Sequence, residues 1–135
     1  MNGSPAGTRL SAWRDTTILA IYCGIIFYFS SLSTLPISER LFPFEDKLQH
    51  GSAYAILGWL AWRAFTHRIA RLPLLATVAF LFTSMYGISD EWHQSFVPER
   101  DPDIWDWVAD STGGLITVLL LYYRARRGSR REQVS

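Results

Sequence analysis

Four long apolar stretches separated by short polar blocks dominate the pattern of this chain. They run over 16–35, 48–65, 72–88 and 105–123. Each has close to the ~20 residues that cross ~30 Å of hydrocarbon at ~1.5 Å per residue. The second and third are slightly short and borrow residues from their flanks. The pattern predicts an all-α fold, an integral membrane bundle of four transmembrane helices over approximately 15–35, 46–65, 72–92 and 104–124. All four belong to one domain covering 1–135, with a basic tail over 124–135. A short, partly helical loop around 95–102 and a second loop over 36–47, with Pro36 and Pro43, join the helices on one side. The first stretch is too long for the apolar part of a signal peptide. SSLSTLP offers no convincing small-x-small cleavage site, so the stretch is read as a retained anchor.

Composition alone does not announce a membrane protein, because 19% of the residues are charged. The charges are segregated, however, and the net charge of +1 hides this. Arg9, Arg14, Arg63, Arg68, Arg71 and the five arginines after Tyr123 fall on one side of the predicted bundle. Only Arg40, Lys47 and Arg100 fall on the other, together with every acid except Asp15 and Glu132. The Lys/Arg bias puts both termini in the cytoplasm of a cytoplasmic (inner) membrane, crossed in several passes. The basic tail RARRGSRREQVS is then a topology determinant that meets anionic lipid, and nucleic acid is not an expected partner. Cys23 is the only cysteine and reads as a small packing residue.

Counting helix rise from the inner boundary puts polar groups of all four helices at one depth. Asp103 falls at the outer boundary, Asp106 ~4–5 Å inside it and Asp110 ~10 Å inside. Glu91 on the third helix, Asp46, Lys47 and His50 on the second, and Ser30, Ser31, Ser33 and Thr34 on the first share this slab. Asp46, His50 and Tyr54 recur every four residues and lie on one helix face. Asp103, Asp106, Asp110, Gly113 and Thr117 form a polar and small stripe, as do Ser84, Gly87 and Glu91. Membrane helices turn such stripes toward one another. The expected result is a polar pocket open to the outside.

Carboxylates at this depth are expensive unless paired or put to use. His50, with an ordinary pKa near 6.5, is a candidate general base or metal ligand. Glu91, Asp110 and Asp106 are the acids expected beside it, and His50, Glu91 and Asp110 are the candidate ligands of a divalent metal cofactor. The helix dipole favours Asp103 and Asp106 in the first turn of the fourth helix but fades by Asp110. Lys47 and Arg100 are expected to balance the acids and to hold an anionic headgroup, with Tyr54 and Gln94 also on the substrate. Asp46, Asp90 and Asp103 are assigned to the supporting polar network. Asp90 and Glu91 point to different helix faces; Glu91 continues the small stripe, and Asp90 is expected to anchor the loop. His93 is read as solvated at the interface. Trp92, Phe96, Trp105 and Trp107 outside, and Trp13, Trp62, Tyr122 and Tyr123 inside, read as two aromatic belts.

DKLQHGSAYAILGWL at 46–60 and DEWHQSFVPERDPDIWDWVADSTGG at 90–114 resemble the two signatures of the VanZ-like family, and SSLSTLP fits it as well. The positions of Asp46, Lys47, His50, Tyr54, Asp90, Glu91, Gln94, Arg100, Asp106 and Asp110 match the polar pattern of that family. Two positions depart from it: the family usually has Gly where this chain has Glu99, and Asn is common where it has Asp110. The resemblance implies a small integral membrane protein with a cell-envelope role, the founding member being associated with low-level teicoplanin resistance. The expected substrate is a lipid-linked or anionic envelope molecule, and membrane lipids are expected partners. Whether the chain is an enzyme is left open by these residues. The alternatives are a non-enzymatic binder of a lipid headgroup or glycopeptide, and an ion or proton pathway. The apolar inner halves of the second and fourth helices argue against the last.

Overall fold

The computed structural model describes residues 5–33 and 44–132. They form four helices in chain order: α1 (Pro5–Ser30), α2 (Glu45–Thr66), α3 (Leu72–Gln94) and α4 (Ile104–Glu132). Among the described residues there is no strand. Most of the expected loop over 36–47 lies outside the described residues. The α2–α3 connection is short, which makes the two helices antiparallel neighbours. Pro73 sits in the first turn of α3, where its missing N–H costs no hydrogen bond.

Two helices are longer than the hydropathy pattern predicts. α1 begins at Pro5, and α4 runs through the basic segment to Glu132. The reason is physical: hydropathy marks where lipid gives way to water, not where backbone hydrogen bonding stops. Alanine and arginine are good helix formers, and arginines in the last turn suit the negative end of the helix dipole.

Three segments, Arg9–Ser30, Leu72–Gln94 and Ile104–Arg131, are long and apolar enough to cross a membrane. They expose large apolar side chains, among them Ile21, Leu81, Ile116 and Leu120, as a lipid-facing surface does. α2 falls short in hydropathy because its first two turns carry Glu45, Asp46, Lys47, Gln49 and His50. It is instead the central helix. Tyr54, Leu57, Leu60, Ala61, Trp62 and Ala64 of α2 make up most of the core, joined by Leu19, Leu75, Ala79 and Val118.

α2 packs most extensively on α4, and glycines set the distance between them. A Cβ on Gly58 would lie 3.2 Å from Gly114 Cα, and one on Gly113 would run into the Gly51 carbonyl. Backbones approach this closely only where side chains are absent.

α1 is tied on by hydrogen bonds. Tyr22 donates to the Ala53 carbonyl at 3.0 Å, and Tyr86 of α3 donates to the Cys23 carbonyl at 2.6 Å. His93, expected to be solvated, instead bonds Ser31 Oγ at 3.0 Å and stacks on Phe27 with ring centroids 4.3 Å apart. At the opposite end Asp15 is buried, whereas in the sequence it read only as the end of a span. Its carboxylate meets Arg63 at 2.8 Å, His67 at 2.9 Å and Arg14 at 3.2 Å. Asp15→Ala is therefore expected to lower stability by about 1–3 kcal/mol. Thermal unfolding in detergent measures this, and an unchanged midpoint would contradict the tie.

Trp13, Trp92 and Trp105 are strongly exposed, in keeping with the predicted belts. Trp62 and Trp107 are not part of them. Trp62 is buried in the core, and Trp107 Nε1 donates to the Ser84 carbonyl and hydroxyl, both at 3.2 Å.

Candidate functional site

The second-helix face that repeats every four residues turns inward as its spacing requires. Asp46, His50 and Tyr54 all border a pocket of about 400 Å³ between α1, α2 and α3. One end of the pocket is polar, with Ser30, Asp90, Gln94 and Arg100 beside those three. Apart from Gln49, the rest of its wall is apolar: Tyr22, Ile25, Ile26, Phe29 and Ala53. A polar end above an apolar cleft is the shape of an amphiphile, and the size falls within the usual range for small-molecule pockets.

Behind His50, toward α4, lies a second set of acids. His50 Nδ1 is 3.1 Å from Asp110 Oδ1, and Nε2 is 3.9 Å from Asp106 Oδ1. A carboxylate only accepts hydrogen bonds, so an ionised Asp110 accepts from the Nδ1–H of His50. Asp110 is fully buried. It holds the ring as a buried carboxylate orients a working histidine.

Lys47 belongs to this α4 side. Its ammonium sits 2.5 Å from Asp103, 2.6 Å from Asp106 and 3.6 Å from Asp46. The ammonium, with help from the Trp105 N–H, holds the Asp103 carboxyl below the ordinary carboxylate range. Asp103 also caps the start of α4 by accepting from the Trp105 N–H at 2.9 Å. Arg100 does border the pocket, but it also braces α1 by donating to the Leu32 carbonyl at 2.9 Å and the Phe29 carbonyl at 3.3 Å. Lys47 and Arg100 were expected to hold one headgroup together. The structure turns them to different sides of His50, because Asp103 and Asp106 draw the flexible Lys47 toward α4.

Asp90 and Glu91 divide the same way. Asp90 is buried on the pocket wall beside Ser30 and accepts from Gln94 Nε2 at 3.2 Å. The expectation that Asp90 anchors the loop is thus corrected, since that contact belongs to Glu91. Glu91 Oε2 accepts the Asp103 N–H at 2.8 Å and closes the α3–α4 connection. His50 stands between the two compartments. Its donor atom, one from Glu91 and one from Asp110 lie within 4.8 Å of one another, as do donors of Asp46, His50 and Asp106.

Several buried polar atoms at this depth have no partner: the Tyr54 hydroxyl, Glu91 Oε1 and Asp110 Oδ2. Buried polar groups are nearly always hydrogen-bonded, so these atoms set the three residues apart from the rest of the buried polar layer. Sequence reasoning reached these residues through helix spacing but missed Tyr22, Ile26 and Phe29, the α1 wall. Apolar residues on a lipid-facing helix carry no signal that sets a pocket wall apart from bilayer contact.

The loop after α3 is a run of turns, and Glu99 within it has φ 65°. This left-handed region suits glycine, the residue that the resembling family usually has there. Glu99→Gly is expected to raise stability by about 1 kcal/mol by relieving the Cβ clash. Its unfolding midpoint would rise; a fall would contradict the strain.

A family model described as VanZ/LLP1 matches residues 16–125. No curated protein and no solved structure matches the chain. The matched segment contains every residue of both compartments around His50. The chain belongs to the VanZ/LLP1 family.

Proposed function

We propose that this chain is a four-pass protein of the cytoplasmic membrane, with both termini inside, that acts from the outer leaflet on an amphiphilic molecule of the cell envelope. α2 has 22 residues, about 33 Å of helix, enough for a fourth crossing once its polar first turns are shielded by α1, α3 and α4. The substrate's apolar part would lie along Ile25, Ile26, Phe29 and Ala53, and its headgroup against His50, Tyr54, Gln94 and Arg100. Arg100 is the cation available for an anionic headgroup. Nε2 of His50, backed by Asp110, is the base. The observation that carries this reading is the unpartnered Tyr54 hydroxyl, buried where the polar end of the cleft meets the His50–Asp110 pair.

The family's founding member is associated with teicoplanin resistance, which makes glycopeptide response the natural readout. Cells expressing His50→Ala, Glu91→Ala or Asp110→Ala, each at unchanged protein level, are expected to become teicoplanin-sensitive. Full resistance in all three would contradict the catalytic role. A second reading, a non-enzymatic binder, is favoured by the place of Arg100 on the wall. It expects Arg100→Ala to fail while His50→Ala survives. An ion or proton path has less support, since Leu57, Ala61, Leu75, Ala79 and Val118 close the bundle with apolar, nearly inaccessible side chains.

A further inference from the structure

We propose that His50, Glu91 and Asp110 form a binding site for one divalent transition metal, of the Zn²⁺ or Mn²⁺ class, at the junction of α2, α3 and α4. The inference deepens the proposed function. It relies on that reading for the metal's role and on geometry for its existence.

Each helix supplies one donor, and the three donor atoms lie within 4.8 Å of one another. Two atoms of the trio, Glu91 Oε1 and Asp110 Oδ2, are buried without a hydrogen-bond partner. Asp110 is 0% exposed, so bulk solvent does not reach its charge. A fully buried carboxylate beside a half-buried one demands positive charge. Lys47 is committed to Asp103 and Asp106, Arg100 faces the pocket on the other side of His50, and a His50 that ligates a metal is neutral and brings no charge. A divalent cation supplies what is missing.

Gly87 packs against the unpartnered Asp110 Oδ2, which a Cβ at 87 would approach to a tight 3.2 Å. A metal would take the place of the Nδ1 proton between His50 and Asp110, whose 3.1 Å separation is close to the ~3.3 Å between two ligands on one tetrahedral Zn²⁺, and His50 then serves as a ligand in place of the base. The neighbouring trio of Asp46, His50 and Asp106 is a weaker candidate, because both its acids already have Lys47 as their cation. The donor set decides the class of metal. Carboxylates alone would suit Ca²⁺ or Mg²⁺, while an added imidazole shifts preference to Zn²⁺ or Mn²⁺. Three protein donors leave a coordination position for a further oxygen ligand, as catalytic sites do.

The test uses the full chain in lipid nanodiscs, freed of any affinity tag, stripped with chelator and titrated calorimetrically with Zn²⁺ and with Mn²⁺. At least one of the two is expected to bind at one equivalent per chain. Asp110→Asn, Glu91→Gln and His50→Gln should each weaken binding at least about hundredfold, while Asp101→Asn, in the exposed loop, leaves it unchanged. Should Asp110→Asn fail to fold, Glu91→Gln carries the test, because its side chain is only half-buried. No saturable binding, or binding indifferent to Glu91→Gln and His50→Gln, overturns the metal. If the wild-type chain binds no metal and His50→Ala still becomes teicoplanin-sensitive, the metal inference falls while the proposed function stands.

Discussion

Gly113→Val is expected to give no folded protein. The Cβ of any residue at 113 would collide with the backbone carbonyl of Gly51, which cannot rotate away as a side chain can. Relief would require α2 and α4 to separate along their whole contact, the largest in the bundle. Overpacking typically costs about 1–3 kcal/mol. A methyl group against rigid backbone lies at the upper end, and the branched valine exceeds it. Gly51→Ala is the control on the facing helix. Its Cβ would meet the Ala109 carbonyl at 3.4 Å, an ordinary contact, so that variant should fold. Fluorescence-detected size exclusion in detergent reads both. A monodisperse Gly113→Val peak at wild-type level would show that the helices do not approach as described.

His50→Ala and Asp110→Asn are expected to reduce function to background at matched levels of folded protein. Asp110→Asn keeps size and shape while removing the charge that fixes the His50 ring. An amide in that position can donate to Nδ1 through its NH₂ and favour the wrong tautomer. Loss of a positioned base typically costs about 10²–10⁴-fold in rate. Asn is common at this position in the resembling family, which makes Asp110→Asn the sharper of the two variants. Teicoplanin susceptibility at matched protein level is the measurement. Wild-type resistance with Asp110→Asn would mean that the charge at 110 is dispensable and that His50 works without it.

α1, α3 and α4 were legible because each carries an apolar run of the roughly 20 residues that a membrane crossing takes, whereas α2, with its polar first turns, was legible as a helix rather than as a span of that hydropathy. Helix ends were less legible, as α1 and α4 show, because charge ends a hydrophobic run without ending a helix. The convergence of His50 with Asp110, and of Asp46 with Tyr54, followed from residues four apart on one helix and equal depth on the next. The division of the layer into a pocket and an acid cluster did not follow. Rise along a helix fixes depth, whereas the side to which Lys47 turns depends on which carboxylates α4 brings within reach. Asp15 was overlooked for a related reason. Its partners Arg63 and His67 are distant in sequence, and alone it looked like the edge of a span.

The central claim is that an amphiphile occupies the cleft beside His50. Native mass spectrometry of the chain released from membranes, compared with Ala53→Phe, tests it most directly, because the phenyl ring would fill the cleft without touching the polar layer. The account predicts a lipid-class adduct on the wild-type chain that is lost from folded Ala53→Phe. The same adduct at equal abundance on both proteins would contradict it.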